Sequence, residues 1–204
     1  MDGGMSISVP VNRRFNEEAA MRTIDSSFDE TRCVSRARKG DDDSFLDLVN
    51  RFDLRIFRLA KQITQSDADA EEVLIETFLE AYSHLDDLQN QTKFSVWLMK
   101  IAVNEAFRRL GDISVRREQP HSGADLSPML DRAMHTLEPL QRAVFALRDI
   151  EELSIKDTGE ALNLPPATVS AILLRARLQL RDELVGLFTP TTTGVAESGR
   201  CLSL

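Results

Sequence analysis

An all-α chain of two small helical units joined by a flexible linker is the architecture this sequence predicts. Three observations carry it. Apolar residues recur at three- and four-residue steps in separate blocks, the spacing that lines one side of a helix. Leu and Ala abound while aromatics make up only 6% of the chain, a balance that favours helices over sheets. The blocks fall into two groups separated by "GDISVRREQPHSGAD", residues 111–125, whose Gly, Pro and Ser read as an exposed connector.

Taken in order, residues 1–33 mix Gly, Ser, Asn and charges without a sustained period and read as a mobile arm. Phe45, Leu48, Val49, Phe52, Ile56, Leu59, Ala60 and Ile63 then form the stripe of a core-facing helix. In "SDADAEEVLIETFLEAYSHL", Ser66 and Asp67 are candidate caps, and carboxylates in the first turn suit the positive end of the helix dipole. The buried side of that helix should be Ala70, Val73 or Leu74, Thr77, Phe78, Ala81, Tyr82 and Leu85. A third helix, about Phe94 to Leu110, turns Trp97, Leu98, Ile101, Ala102 and Ala106 toward the other two. Trp97 is in phase with Leu98 and Ile101, so it reads as a core residue rather than a stacking platform.

Beyond the connector, Met129, Leu130, Ala133, Met134 and Leu137 make one short stripe. Pro139 suits a first helical turn, and Leu140, Val144, Phe145 and Leu147 continue from it. Ser154 with Asp157 has the spacing of a capping box, Gly159 permits close helix approach, Asn163 takes the turn and Pro166 opens a long helix. Val169, Ile172, Leu173, Ala176 and Leu180 give this last helix an inner face. A tight turn between two such helices is a helix-turn-helix, which either enters a DNA groove or is simply a packed hairpin.

No apolar run approaches the roughly 20 residues of a membrane span, and no secretory signal opens the chain. Cys33 and Cys201 lie in polar terminal segments without metal-ligand spacing, which points to a reduced cytoplasmic protein with no metal and no cofactor. His84, His121 and His135 have no nucleophile at a recognisable spacing and no phosphate loop is present, so an enzyme is not expected. The terminal "CLSL" fits a prenylation pattern, but "TPTTTGVAESGRCLSL" reads as a disordered tail.

The net charge of −8 is an awkward start for a DNA binder, since phosphate neutralisation drives most non-specific affinity. Its distribution is more informative than its total. Between Ser66 and Leu88 stand Asp67, Asp69, Glu71, Glu72, Glu76, Glu80, Asp86 and Asp87, with no Lys or Arg. Cations gather instead at Arg108/Arg109, Arg116/Arg117 and Arg175/Arg177/Arg181. An acidic face and separate basic spots imply two kinds of partner.

"DAEEVLIETFLEAYSHL", "FSVWLMKIAVNEAFRRL", "LEPLQRAVFALRDIEELS" and "ATVSAILLRARLQLR" occur here in one order and at separations that resemble the bacterial RNA polymerase sigma factors of the extracytoplasmic-function type, within the sigma-70 family. Each piece is weak alone; the ordered set is specific. The resemblance implies a sigma domain 2 over 34–112, a linker over 113–125, a sigma domain 4 with the helix-turn-helix over 126–188, and a tail over 189–204. It implies a subunit that directs core RNA polymerase to specific promoters and initiates transcription.

By the same resemblance, the helix carrying Asp69, Glu72, Ile75, Glu76 and Glu80 docks on the β′ clamp of core polymerase. The family commonly has Gln where Ile75 stands. The −10 element would be opened by Asn90, Gln91, Lys93 and Ser95 in the loop, with Lys100, Asn104, Arg108 and Arg109 tracking the strand. Gly111 and Asp112 interrupt the basic character that usually continues there, a gap Arg116 and Arg117 could fill.

The −35 element would meet Ala167, Thr168, Ser170 and Ala171, with Arg175, Arg177 and Arg181 on phosphates. The family often places a cation where Ser170, Ala171 and Ile172 stand. The arginines have a competing role, pairing with Asp182 or Glu183. Promoter DNA and core polymerase are therefore the expected partners, with an anti-sigma factor a further one. Two other functions stay open at this point: a stand-alone helix-turn-helix regulator, and a divergent relative that binds polymerase or an anti-sigma factor without opening promoters.

Overall fold

A computed structural model describes residues 29–88, 93–113 and 128–188. The proposed arm up to residue 28, Asn90, Gln91, Arg116, Arg117, Cys201 and the terminal tail lie outside the described residues. Every regular element among the described residues is helical. α1 spans Glu30–Ala37, α2 Asp42–Thr64, α3 Asp67–Ser83 and α4 Phe94–Ile113; then follow α5 Pro128–His135, α6 Pro139–Phe145, α7 Ile155–Leu162 and α8 Pro166–Phe188.

The starts follow from capping chemistry. The Asp29 and Asp41 carboxylates and the Ser66 and Ser154 hydroxyls each accept a backbone N–H from the first turn of the helix that follows. α1 therefore begins at Glu30, within the stretch read as an arm, and it is held there because Cys33, Val34 and Ala37 pack against the core. α2 ends at Thr64: the N–H of the next residue, Gln65, still donates to the Lys61 carbonyl, and its left-handed backbone (φ 60°) then turns the chain out of the helix.

α2, α3 and α4 pack on one another, and α1 lies across α2. Leu48, Ile56, Leu59, Ile63, Val73, Leu98, Met99 and Phe94 are fully buried there, with Phe52 and Phe94 rings 5.6 Å apart. Tyr82 departs from its expected place. It is 44% exposed, its ring meets Phe45 edge-on and its hydroxyl donates to Asp42, so the polar tip keeps it at the surface. Nor does Gly111 break α4, which runs on to Ile113.

In the second group, Val144, Val169 and Leu173 form one small cluster; Ala133, Met134, Leu137, Ala176 and Leu180 form another. α6 passes into a widened turn over Ala146–Ile150 before α7. Asn163 takes the left-handed conformation (φ 54°) between α7 and α8. A Cβ on Gly159 would stand 2.6 Å from the Leu164 carbonyl oxygen, so only glycine allows this turn to close.

The two groups also pack against each other, which a reading of two tethered bodies does not anticipate. α6 lies on α2 and α7 on α4. Ala143, Ala146, Leu147, Leu153 and Ala161 belong to the same continuous core as Ile63 and Leu98. Polar contacts line the seam. Arg55 Nε lies 2.5 Å from a Glu151 carboxylate that is 5% exposed. The Arg142 guanidinium is buried and donates to the carbonyls of Leu137 (2.7 Å) and Ile63 (2.9 Å), one from each group. Burial pushes the pKa of Arg142 below that of a free guanidinium, and Glu138 pulls it back up.

Candidate partner and nucleic-acid interfaces

Asp69, Glu72, Glu76 and Glu80 recur along α3 at three- and four-residue steps, so the Ser66-capped helix sets them on one side. Glu72 and Glu80 are exposed; Asp69, Ile75 and Glu76 are half-buried. Ile75 is thus partly enclosed rather than fully presented to a partner. Glu80 lies 3.6 Å from His84 Nε2.

Lys100, Asn104 and Arg108 follow at four-residue steps on the exposed side of α4, and Arg109 stands beside them half-buried. The two arginines do not point freely into solvent. Arg108 donates to Glu105 (Nε–Oε2 2.9 Å) and to Glu76. Arg109 donates to Glu72 and to the other oxygen of Glu76 at 2.5 Å. Glu76 therefore bridges both guanidinium groups. Burial, and after it the neighbouring Glu105, pushes its carboxyl above the ordinary range, while Arg108 draws it down. Carboxylates and cations expected to serve different partners are brought into one network.

Ahead of α4, Lys93 Nζ lies 3.7 Å from Asp157 on α7. The Ser95 amide donates to Glu30 Oε1 at 3.3 Å, which ties this turn back to α1. Trp97 is half-buried against the core, 5.9 Å from the Phe94 ring, as its phase predicts. Burial, with Asp47 and Asp29 adding to it, pushes the Cys33 thiol up, the opposite of what a reactive thiolate needs.

On α8, Ala167, Thr168, Ser170 and Ala171 are exposed together at the helix start. The Ser170 hydroxyl donates to the Pro166 carbonyl at 3.0 Å, which commits its proton and leaves its lone pairs to accept. Arg177 forks onto Asp149 (2.9 and 2.5 Å), and Arg181 rests on Asp182 (2.7 Å). Arg175 is exposed and forms no ion pair with a described residue. Asp149, Arg55, Glu151 and Arg142 were not singled out from the sequence, and Asp157 only for its place in a capping box. Arg142 alone carried a signal, as a charge on a short helix whose neighbours Leu140, Ala143, Val144 and Phe145 are apolar.

Among the described residues, no group of three or more His, Cys, Asp or Glu is arranged to hold a metal. No described helix is long and apolar enough to cross a membrane.

Comparison with known proteins bears on both halves. Residues 48–114 match the model for sigma-70 region 2, and residues 128–180 match the model for sigma-70 region 4, together more than half of the chain. The chain is 28% identical over 181 residues to the ECF RNA polymerase sigma factor SigW of Bacillus subtilis, spanning 74% of this chain and 94% of that protein. Its fold is similar to CnrH, solved in complex with the cytosolic domain of CnrY, with a TM-score of 0.62 at 23% identity over 78% of this chain and 99% of that one. It is also similar to the sigma factor RpoE of Bartonella quintana, solved with the anti-sigma factor NepR, with a TM-score of 0.57 at 18% identity over 70% of this chain and 99% of that one. With region 2 and region 4 in that order on helices built as the sequence predicts, the chain belongs to the sigma-70 family, in its extracytoplasmic-function group.

Proposed function

We propose that this sigma factor divides its work among three helices and supplies no catalysis of its own. As a member of its family it directs core RNA polymerase to specific promoters and initiates transcription. In our reading, Asp69, Glu72, Ile75, Glu76 and Glu80 of α3 meet a basic surface of core polymerase, where charge complementarity speeds encounter and fixes register. Lys93, Ser95, Lys100, Asn104, Arg108 and Arg109 follow the opened −10 strand, together with Asn90 and Gln91 of the preceding loop. Thr168 accepts or donates and Ser170 accepts at base edges of the −35 element, Ala167 and Ala171 touch thymine methyls, and Arg175, Arg177 and Arg181 hold phosphates. A cytoplasmic location and an anti-sigma partner belong to the same reading; RpoE of Bartonella quintana is one relative in fold solved with such a partner.

The observation that supports this division is the exposed start of α8, where four short uncharged side chains stand together and cations appear only further along. Such a helix can choose between sequences without holding DNA strongly by itself. Polymerase, by carrying it to the duplex, makes the contact effectively intramolecular. Transcription in vitro with purified core polymerase tests the reading. Specific transcripts that depend on this chain are expected, together with weak duplex binding by the chain alone at physiological salt. Tight, sequence-selective binding by the free protein would overturn the division.

A further inference from the structure

We infer that Glu72 and Glu76 act as an internal substitute for nucleic-acid phosphates, covering Arg108 and Arg109 until a cationic partner draws the carboxylates away. The inference rests on the assignment of α3 to polymerase and of α4 to the strand, and it joins those two sites into one device. The geometry is specific. The two glutamates stand one turn apart on α3, and the two arginines stand side by side on α4. Glu76 takes both guanidinium groups, one on each oxygen, and Glu72 takes Arg109 again. A carboxylate bridging two arginines is what a backbone phosphate does in a strand-tracking site.

The competition follows from charge alone. A guanidinium engaged by carboxylates gains less from a phosphate, because the pairs must break first. A basic surface that pairs with Glu72 and Glu76 removes that cost. Binding one partner then strengthens binding of the other, and linkage requires the effect to be reciprocal. Arg108 is half exposed and Glu72 more so, so these pairs are screened and individually weak. That weakness suits a cover that must come off.

Fluorescence anisotropy with the full chain and a poly(dT) oligonucleotide at low salt tests the inference. E72Q/E76Q should bind about three- to tenfold more tightly than the unaltered chain, the range expected when two exposed pairs of modest strength are released. E71Q/D86N removes the same charge from exposed positions outside the network and should change affinity by less than about twofold. Adding R108Q and R109Q to E72Q/E76Q should cancel the gain. Equal gains for both double variants would overturn the cover in favour of general acidity. No gain from E72Q/E76Q, with weaker binding by R108Q/R109Q, would overturn the cover while leaving the strand assignment standing. A full gain retained by the quadruple variant would overturn both.

In the reciprocal arm, R108Q/R109Q should bind core polymerase about two- to fivefold more tightly, because its glutamates are already free. Unchanged core affinity, where E72Q/E76Q does weaken core binding, would overturn the coupling. Far-ultraviolet circular dichroism and thermal midpoints of each variant separate these effects from loss of fold.

Discussion

The α1–α4 group and the α5–α8 group bury apolar surface in different ways. The first supplies most of one deep interior of Phe, Leu, Ile and Met. The second has two small clusters, and it commits Ala143, Ala146, Leu147, Leu153 and Ala161 to the core of the first. One group carries the larger share of the common core; the other leans on it. Their cations differ in the same spirit. Arg108 and Arg109 are held in a network spanning two helices, whereas Arg181 takes only its neighbour Asp182 and Arg175 takes no described partner. In that second half Arg142 is buried and Arg177 forks onto Asp149, so only Arg175 and Arg181 are loosely held.

Trp97 is the single tryptophan, so its emission reports on the first group, while circular dichroism reports on all helices. The largest effect should come from Leu98→Ala, at a fully buried position, which should cost about 2–5 kcal/mol. Because the second group leans on that core, urea unfolding should shift equally by both probes. Met134→Ala should cost a similar or smaller amount, roughly 2–3 kcal/mol, but move dichroism more than Trp97 emission. Coincident shifts for Met134→Ala would mean the two groups unfold as one and would erase the contrast.

Next comes Gly159→Ala. Its new Cβ must displace the Leu164 backbone, so a loss of about 1–3 kcal/mol is expected, seen mainly by dichroism and as weaker −35 recognition in transcription assays. At the seam, Arg55→Ala should cost more than Glu151→Ala, by about 1 kcal/mol, because it leaves a 5% exposed carboxylate without its counter-charge. The smallest effects pair Ser66→Ala with Ser154→Ala. Each removes one hydroxyl cap worth about 1 kcal/mol, and thermal melts should place the first loss on α3 and the second on α7.

Much of the architecture was legible because helices advertise themselves by period. The α2 stripe from Phe45 to Ile63 is buried but for Val49, which is half-buried, and Ser66, Ser154, Asn163 and Pro166 mark their boundaries by chemistry that acts within a turn. The seam was not legible. Ala143, Ala146 and Leu147 share a short helix and turn with Val144, and nothing in their spacing says that they face a different neighbour from it. Likewise the Arg181–Asp182 pair is adjacent in sequence and was foreseen, whereas Glu72 meets Arg109 only through the packing of α3 on α4. Tyr82 fell on the apolar phase but surfaced for its hydroxyl. Contacts set by local geometry can be read directly; those set by how helices dock require the fold.

Arg142 gives the seam a particular response to ionic strength. Its partners there are main-chain oxygens, including that of Ile63 at the end of α2, where carbonyls have no successor in the helix. Dissolved ions shield exposed charge pairs within about 10 Å at 0.1 M salt but have little hold on an enclosed cation resting on neutral dipoles. Raising salt should therefore loosen the glutamate–arginine network while the halves remain docked. Within one small chain, the same change of medium would reach Arg108 and Arg109 and leave the Arg142 contacts at the seam in place.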